Sequence, residues 1–332
     1  LSLPTAPLGD TGMDLTRVGF GAWAIGGGDW AAGWGSQDDD ESISAIRHAV
    51  DQGINWIDTA AVYGLGRSEE VVARALAGMP ESDRPYIFTK CGLVWDQQNR
   101  RAAPERIMSA ASVRREVEDS LRRLDVERID LYQVHWPAED GTALEDYWQT
   151  MVDLRDEGKV RAVGLSNHDL AQLEIAEKVG HVDSLQPPFS AIKREAAAEL
   201  AWCAQHATGA IVYSPMQSGL LTGAFTEERV AALPEDDHRR ENPEFTTNLA
   251  ANLALATALE PIAQRHGVSA GAVAVAWTLA WPGVTAAIVG ARRPEQVDGW
   301  LPAATLTLTA EDLDTIAQAI VRTGAGSGPD RP

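Results

Sequence analysis

The chain has 332 residues, 45% of them hydrophobic, enough to bury a sizeable core in one large domain or two average ones. Its 48 acidic residues against 28 basic ones give a formal net charge of −20, which disfavours nucleic acid and anionic membranes as partners. Cys91 and Cys203 form no CxxC or metal-ligand spacing, no apolar run reaches the roughly 18 residues of a membrane span, and no signal peptide is read at the start, so a reducing cytoplasm and two ordinary buried thiols are expected.

Strand-like and helix-like runs alternate along the chain. Arg17 to Trp23 reads as a first strand, Asp38-Asp39-Asp40-Glu41 as an acidic helix start with Ile43, Ile46 and Val50 on one stripe, and Gly53 as its C-cap. A strand then ends at Asp58, a helix opens at Ser68-Glu69-Glu70, and Ile87 to Lys90 is the next strand. Ser112 starts a helix carrying Val113, Val117 and Leu121, and the strand from Ile129 closes at His135. Thr142 and Glu145 have capping-box spacing before a helix that Gly158 stops. Strands at Val160 to Ser166, Ser184 to Gln186 and Ala210 to Ser214 alternate with helices over about 169–179 and 194–207. After a polar excursion from about Gln217 to Thr247 come helices to Gly267 and from Ser269 to Ala280, then a strand over Ala286 to Val289. Eight strands alternating with helices mean a parallel sheet with crossover helices, either a closed barrel or a doubly wound sheet; periodicity does not separate the two. No repeat or linker splits the chain, so residues 1–323 are expected to form one domain, with 324–332 a flexible tail rich in Gly and Pro.

Two motifs suggest a dinucleotide fold and fail locally. Gly19-Phe20-Gly21-Ala22-Trp23-Ala24 fits GxGxxA, but Gly26-Gly27-Gly28 would break the helix that must begin there. Tyr86 and Lys90 have YxxxK spacing, which needs a helix to bring the pair within about 6 Å. The run reads as a strand, which would set them about 13 Å apart.

Lysine is scarce here: four of the 28 basic residues, at 90, 159, 178 and 193. A chain that meets its other needs with arginine places a lysine at the end of the apolar run Tyr86-Ile87-Phe88-Thr89, where a compact ammonium can approach one acceptor and shift its pKa as a guanidinium cannot. Asp58, Tyr63 and His135 also lie at or just beyond strand ends. Each alone has a structural explanation as a cap, a half-buried ring or a core histidine. Four together, at ends where α/β barrels build their sites, point to chemistry.

Asn55-Trp56-Ile57-Asp58-Thr59-Ala60, Tyr63-Gly64, Phe88-Thr89-Lys90, Val134-His135-Trp136-Pro137, Gly164-Leu165-Ser166-Asn167, Gln186-Pro187, Tyr213-Ser214-Pro215 and Ile288-Val289-Gly290 together resemble the aldo-keto reductase superfamily, in family order from about Leu8 to the last helix. Gln217 to Gly223 and Gly290 to Gln296 look like its bacterial branches. The resemblance implies a (β/α)8 TIM barrel with an N-terminal β-hairpin. It implies NADPH-dependent reduction of aldehydes and ketones to alcohols, reversible, with hydride from the nicotinamide and the proton from Tyr63. Lys90, positioned by Asp58, would lower the phenol's pKa, and His135 would orient the carbonyl or relay the proton.

For the cofactor, the resemblance implies Ser166, Asn167 and Gln186 at the carboxamide and Tyr213 stacked on the nicotinamide. Ser214, Pro215, Met216, Gln217, Gly219 and Leu221 would lie in a loop crossing the pyrophosphate. Gly290, Arg292, Arg293 and Gln296 would form the adenosine end, with Arg292 the more important in a preference for NADPH over NADH. Many relatives have an adenine-contacting asparagine where this chain has Trp300. Trp23, Trp30, Trp95 and Trp136 would line a pocket for an apolar or aromatic carbonyl; Trp56, Trp148, Trp202 and Trp277 are most simply core. The rival reading is a cofactor-binding regulatory subunit of the potassium-channel beta-subunit type. The excursion at 217–247 is too long for an ordinary barrel loop, and its first part is expected to fold over the pyrophosphate as a lid.

Overall fold

The computed structural model describes every residue except Leu1 and Asp236, so the middle of the acidic run Glu235-Asp236-Asp237 lies outside the described residues. A hairpin of β1 (Thr5–Pro7) and β2 (Asp14–Thr16) comes first. There follow β3 (Val18–Gly21), α1 (Asp39–Asp51), β4 (Trp56–Asp58), α2 (Arg67–Leu76), β5 (Tyr86–Cys91) and a small hairpin of β6 (Leu93–Val94) and β7 (Glu105–Arg106). Next are α3 (Ala110–Leu124), β8 (Ile129–Val134), α4 (Leu144–Asp156), β9 (Val160–Ser166), α5 (Leu170–Val179), β10 (Ser184–Gln186), α6 (Ala197–Gln205) and β11 (Gly209–Val212). The short α7 (Glu227–Ala231), α8 (Leu249–His266), α9 (Ala270–Leu279), β12 (Val284–Gly290), α10 (Pro294–Trp300) and α11 (Ala310–Thr323) complete the chain.

β3, β4, β5, β8, β9, β10, β11 and β12 are parallel and pair in that order, and β12 pairs back onto β3, with Ala287 opposite Val18 and Gly290 opposite Gly21. That closing pair makes the sheet a (β/α)8 barrel and excludes the doubly wound alternative. The helices bury their apolar stripes on the outside of the barrel, as Val113 and Val117 of α3 do. The hairpin stoppers the end opposite the site: Leu8, Met13 and Leu15 pack against Trp56, Phe88, Leu131, Ile211 and Ile288, and the Trp56 indole donates to the Thr16 carbonyl at 2.8 Å.

Local rules explain most element ends. Asp38 caps α1 by accepting from the Asp40 and Glu41 amides, a cap of about 1 kcal/mol. Asp169 and Gln172 form a reciprocal box on α5. The box expected from Thr142 and Glu145 does not form: Ala143 is the N-cap, and the Thr142 amide donates to Asp140 at 3.1 Å instead. Gly19 explains the dinucleotide-like motif. A Cβ there would run into the Trp56 ring, so the glycine makes room for a barrel-filling indole. Tyr86 and Lys90 lie on a strand, as their context implies. The terminal segment expected to be flexible is tied at specific points: the Ser327 amide donates to the Ile192 carbonyl at 3.1 Å and the Arg194 amide to the Ser327 carbonyl at 3.0 Å. Among the described residues no helix is long and apolar enough to cross a membrane.

Candidate functional site

The strands all deliver their C-terminal ends to one mouth. Asp58 ends β4, Lys90 is the penultimate residue of β5, His135 follows β8, Ser166 ends β9 and Gln186 ends β10. Lys90 is 1% exposed, and its three ammonium protons have three acceptors. It pairs with the Asp58 carboxylate and donates to the Thr59 carbonyl at 2.9 Å and to the Tyr63 hydroxyl at 3.3 Å. A compact cation at this point satisfies all three, which is the geometric reason for lysine here.

The electrostatics differ from the sequence expectation. The Tyr63 phenol is held well above its ordinary pKa, first by burial and then by the Asp58 carboxylate. The cation expected to lower it is already matched by Asp58. Burial lowers the pKa of Lys90, with Asp58 and Glu69 opposing the shift. Burial, then Lys90 and Arg106, push His135 well below the usual histidine range. The resting site therefore holds a neutral phenol with a proton to give, beside a neutral imidazole.

A second network lies on the other side of the mouth. Asn167 has φ of 61°, a left-handed conformation that a non-glycine residue adopts at a cost. Its amide donates to the His135 carbonyl at 2.9 Å and to Ser166 Oγ at 3.1 Å, and it accepts from the Tyr213 hydroxyl at 2.7 Å. His168 pins this turn from behind. Its Nδ1 lies 2.8 Å from the Ser166 carbonyl and must donate, which leaves Nε2 to accept from Tyr147 at 2.9 Å. Burial lowers the His168 pKa to about 4, so the neutral ring that this pattern needs is the one present.

Both networks open into a single cavity of about 940 Å³. Asp58, Tyr63, His135, Trp23, Trp30 and Trp136 line its deep end. Ser166, Asn167, Gln186, Tyr213, Ser214, Pro215, Met216 and Gly219 line the middle, and Gly290, Arg292, Arg293 and Gln296 the far end. Four expected residues do not line it. Lys90 sits behind Tyr63 and Asp58. Gln217 and Leu221 are buried beneath the loop, Gln217 facing Ser190. Trp95 faces Arg123, whose guanidinium lies 5.9 Å from its ring.

Arg292 also departs from expectation. Its guanidinium is bonded to the Gln37 side chain and to the carbonyls of Ser36 and Trp34, so it ties the loop after β3 to the start of α10. Arg293 is exposed beside it, and Glu41, read in the sequence only as part of an acidic helix start, lines the same end of the cavity. Trp300 lines that end too, 2% exposed, with its indole nitrogen buried and without a partner among the described residues.

The excursion at 217–247 is built from short helical turns and bridges the mouth. The His238 ring lies 4.9 Å from Trp23 and 4.6 Å from Trp34, both in the loop after β3. Burial lowers the His238 pKa and keeps the ring neutral for that contact. Arg239 is forked onto Asp237 and lies 5.0 Å over Trp34 and 5.3 Å over Phe225. Trp34, His238 and Arg239 are not legible as site residues in the sequence, because their contacts join segments far apart in the chain.

Comparison with known proteins gives a consistent result. The model of the Aldo/keto reductase family matches residues 17–321. The chain is 37% identical to the Aldo-keto reductase YhdN of Bacillus subtilis (strain 168), over 93% of this chain and 91% of that one. It is 32% identical to the NADH-specific methylglyoxal reductase of Escherichia coli (strain K12), over 95% of this chain and 99% of that one. Among solved structures, the glycerol dehydrogenase AKR11B4 from Gluconobacter oxydans superposes with a TM-score of 0.87 at 37% identity, covering 98% of this chain and 97% of that one.

Proposed function

The chain belongs to the aldo/keto reductase family of NAD(P)H-dependent oxidoreductases, and from that premise we propose that it reduces aldehydes and ketones to alcohols, with Tyr63 as the proton donor and NADPH as the preferred cofactor. The observation that carries the reading is the buried Asp58–Lys90–Tyr63 chain opening beside His135 into the cavity. When bound, the nicotinamide supplies the hydride. Tyr63 holds the proton at its hydroxyl until a carbonyl oxygen accepts it. His135, a neutral ring, donates a hydrogen bond to the same oxygen and orients it. Lys90 fixes the phenol through the 3.3 Å contact and compensates the phenolate once it forms.

The cavity suits a dinucleotide. Its volume is about 940 Å³, and the end lined by Arg292 and Arg293 offers the unpartnered Trp300 N–H where an adenine ring nitrogen could accept. Arg293, with Arg292 committed to the loop, is the guanidinium free for a 2′-phosphate, and the nearby Glu41 carboxylate opposes it. Arg293→Ala should therefore weaken NADPH by about 1.5–3 kcal/mol, the scale of a charged hydrogen bond, and leave NADH nearly unchanged. Glu41→Gln should tighten NADPH. Fluorescence titration of both cofactors tests this, and equal wild-type affinity for NADPH and NADH would overturn the preference. The deep end, walled by Trp23, Trp30 and Trp136 with Val62 and Leu93, suits a flat apolar or aromatic carbonyl. NADPH oxidation against a panel running from methylglyoxal to aromatic aldehydes and quinones tests both the activity and this choice. No turnover with any carbonyl, despite cofactor binding, would refute the reductase reading.

The bridge over the mouth should behave as a lid on the cofactor. NADPH is expected to slow amide hydrogen exchange in residues 217–245, and His238→Ala to speed cofactor release several-fold in stopped flow. An exchange pattern that NADPH leaves unchanged would show that the segment is a fixed wall.

A further inference from the structure

Gln133 is 0% exposed, on β8 two residues before His135, inside the barrel rather than on the cavity wall. A buried primary amide must satisfy both of its ends. Gln133 Nε2 donates to Asp58 Oδ2 at 3.2 Å, and Gln186 Nε2 donates to the same oxygen at 2.9 Å and to Gln133 Oε1 at 2.9 Å. The directions are forced by chemistry. An ionised carboxylate has only acceptors, so both glutamines must turn their NH2 groups toward Asp58, and Gln133 Oε1 then faces the second proton of Gln186. The barrel makes room for this arrangement at Gly164, which pairs with Gln133 across β8 and β9. A Cβ there would stand 2.8 Å from the Ser184 carbonyl and 3.2 Å from Gln133 Cγ.

One consequence reaches the cavity. Both protons of the Gln186 amide are spent inside the protein, so this wall residue has its oxygen alone to offer a ligand. Its partner must be a donor. We propose that Gln133 is a positioning residue that locks the Gln186 amide with its oxygen toward the cavity, so that the site selects a nicotinamide carboxamide by its NH2 group, and that the same bonds tie this selection to the Asp58 carboxylate that pairs with Lys90. The inference rests on the reductase reading above, because it takes the ligand at Gln186 to be the nicotinamide.

The test compares NADPH with its 3-acetylpyridine analogue, which keeps the carbonyl and lacks the NH2. Wild type should bind the analogue about tenfold or more weakly, the scale of one hydrogen bond lost against a buried acceptor. In Gln133→Met, which keeps the volume and removes both polar ends, one Gln186 proton stays on Asp58 and the other, having lost its acceptor, can turn toward the acetyl oxygen. The ratio of the two dissociation constants should then fall toward unity while kcat with NADPH drops. A ratio unchanged from wild type in a folded Gln133→Met would overturn the proposal. Failure of wild type to bind NADPH at all would instead strike the reductase reading.

Gln133→Glu supplies a second measurement should the methionine variant not fold. The ionisable groups facing this position are Asp58, which it bonds, Lys90, its register partner on β5, the Cys91 thiol at the Gln133 carbonyl, and Tyr63 and His135 across the mouth. A protonated carboxyl in place of the amide can donate at low pH, when one proton is shared with Asp58, and that role is lost when both carboxyls ionise. Gln133→Glu should keep near wild-type activity at low pH and lose at least about tenfold as pH rises through neutrality, where wild type stays level. A profile parallel to wild type would count against the proposal.

Discussion

Tyr63→Phe should lower kcat for carbonyl reduction by about 10²–10⁴, the range of a lost general acid, while NADPH affinity stays within a factor of two or so. The asymmetry follows from position. The hydroxyl contacts Lys90 at 3.3 Å and faces the deep end of the cavity, whereas the surfaces assigned to the cofactor lie along Asn167, Tyr213 and the far end. Single-turnover kinetics and fluorescence titration measure the two halves separately, and an active Tyr63→Phe would sink the assignment. The raised phenol pKa adds a pH signature with a definite sign. The acid form persists from neutral into alkaline solution, so reduction should be level through neutrality and fall only at high pH. Alcohol oxidation needs the phenolate and should rise with pH over the same range.

Lys90 variants should fail in two measurable ways. Lys90→Met leaves the Asp58 carboxylate, 2% exposed, without its cation and supported by two amides, and should cost about 3–5 kcal/mol of stability in addition to activity. Lys90→Arg keeps the charge, but a planar fork cannot bring one nitrogen to Asp58, the Thr59 carbonyl and the Tyr63 hydroxyl together. Retention of more than roughly a tenth of wild-type activity in Lys90→Arg would show that charge, and not a point donor, is what the site needs. Denaturant unfolding and steady-state rates read the two effects independently.

Much of the site is legible in the sequence because a barrel sorts residues by position along a strand: an apolar run that stops at Asp58, Lys90 or His135 announces a strand end. Strand limits are less sharp. Ala210 to Ser214 reads as strand, yet the observed β11 is Gly209–Val212 and Tyr213 already turns toward the cavity. Gln133 is easily passed over as one residue of an apolar strand. A glutamine at an inward position, one residue from the run's end, is the signal available. Arg292 misleads because its partners, Gln37 and Ser36, belong to a loop more than two hundred residues earlier, and nothing local reveals that its donors are used. The phenol's pKa misleads for a related reason: the sequence supplies the cation but not the depth at which both groups are buried.

The pairing of β12 with β3 has a consequence for how the molecule comes into being. The ladder that closes the barrel joins Val18 to Ala287, so on the ribosome the first barrel strand must wait for the last, on the order of tens of seconds at ordinary rates of synthesis. Throughout that interval β3, a buried Val-Gly-Phe-Gly segment in the finished protein, has one edge of unmet amides and carbonyls. Contacts so distant in sequence also make closure slow once the chain is complete. Nascent chains stalled before Val284 are thus expected to aggregate more readily than the finished chain, an outcome that light scattering of a chain truncated before β12 against the full chain would check.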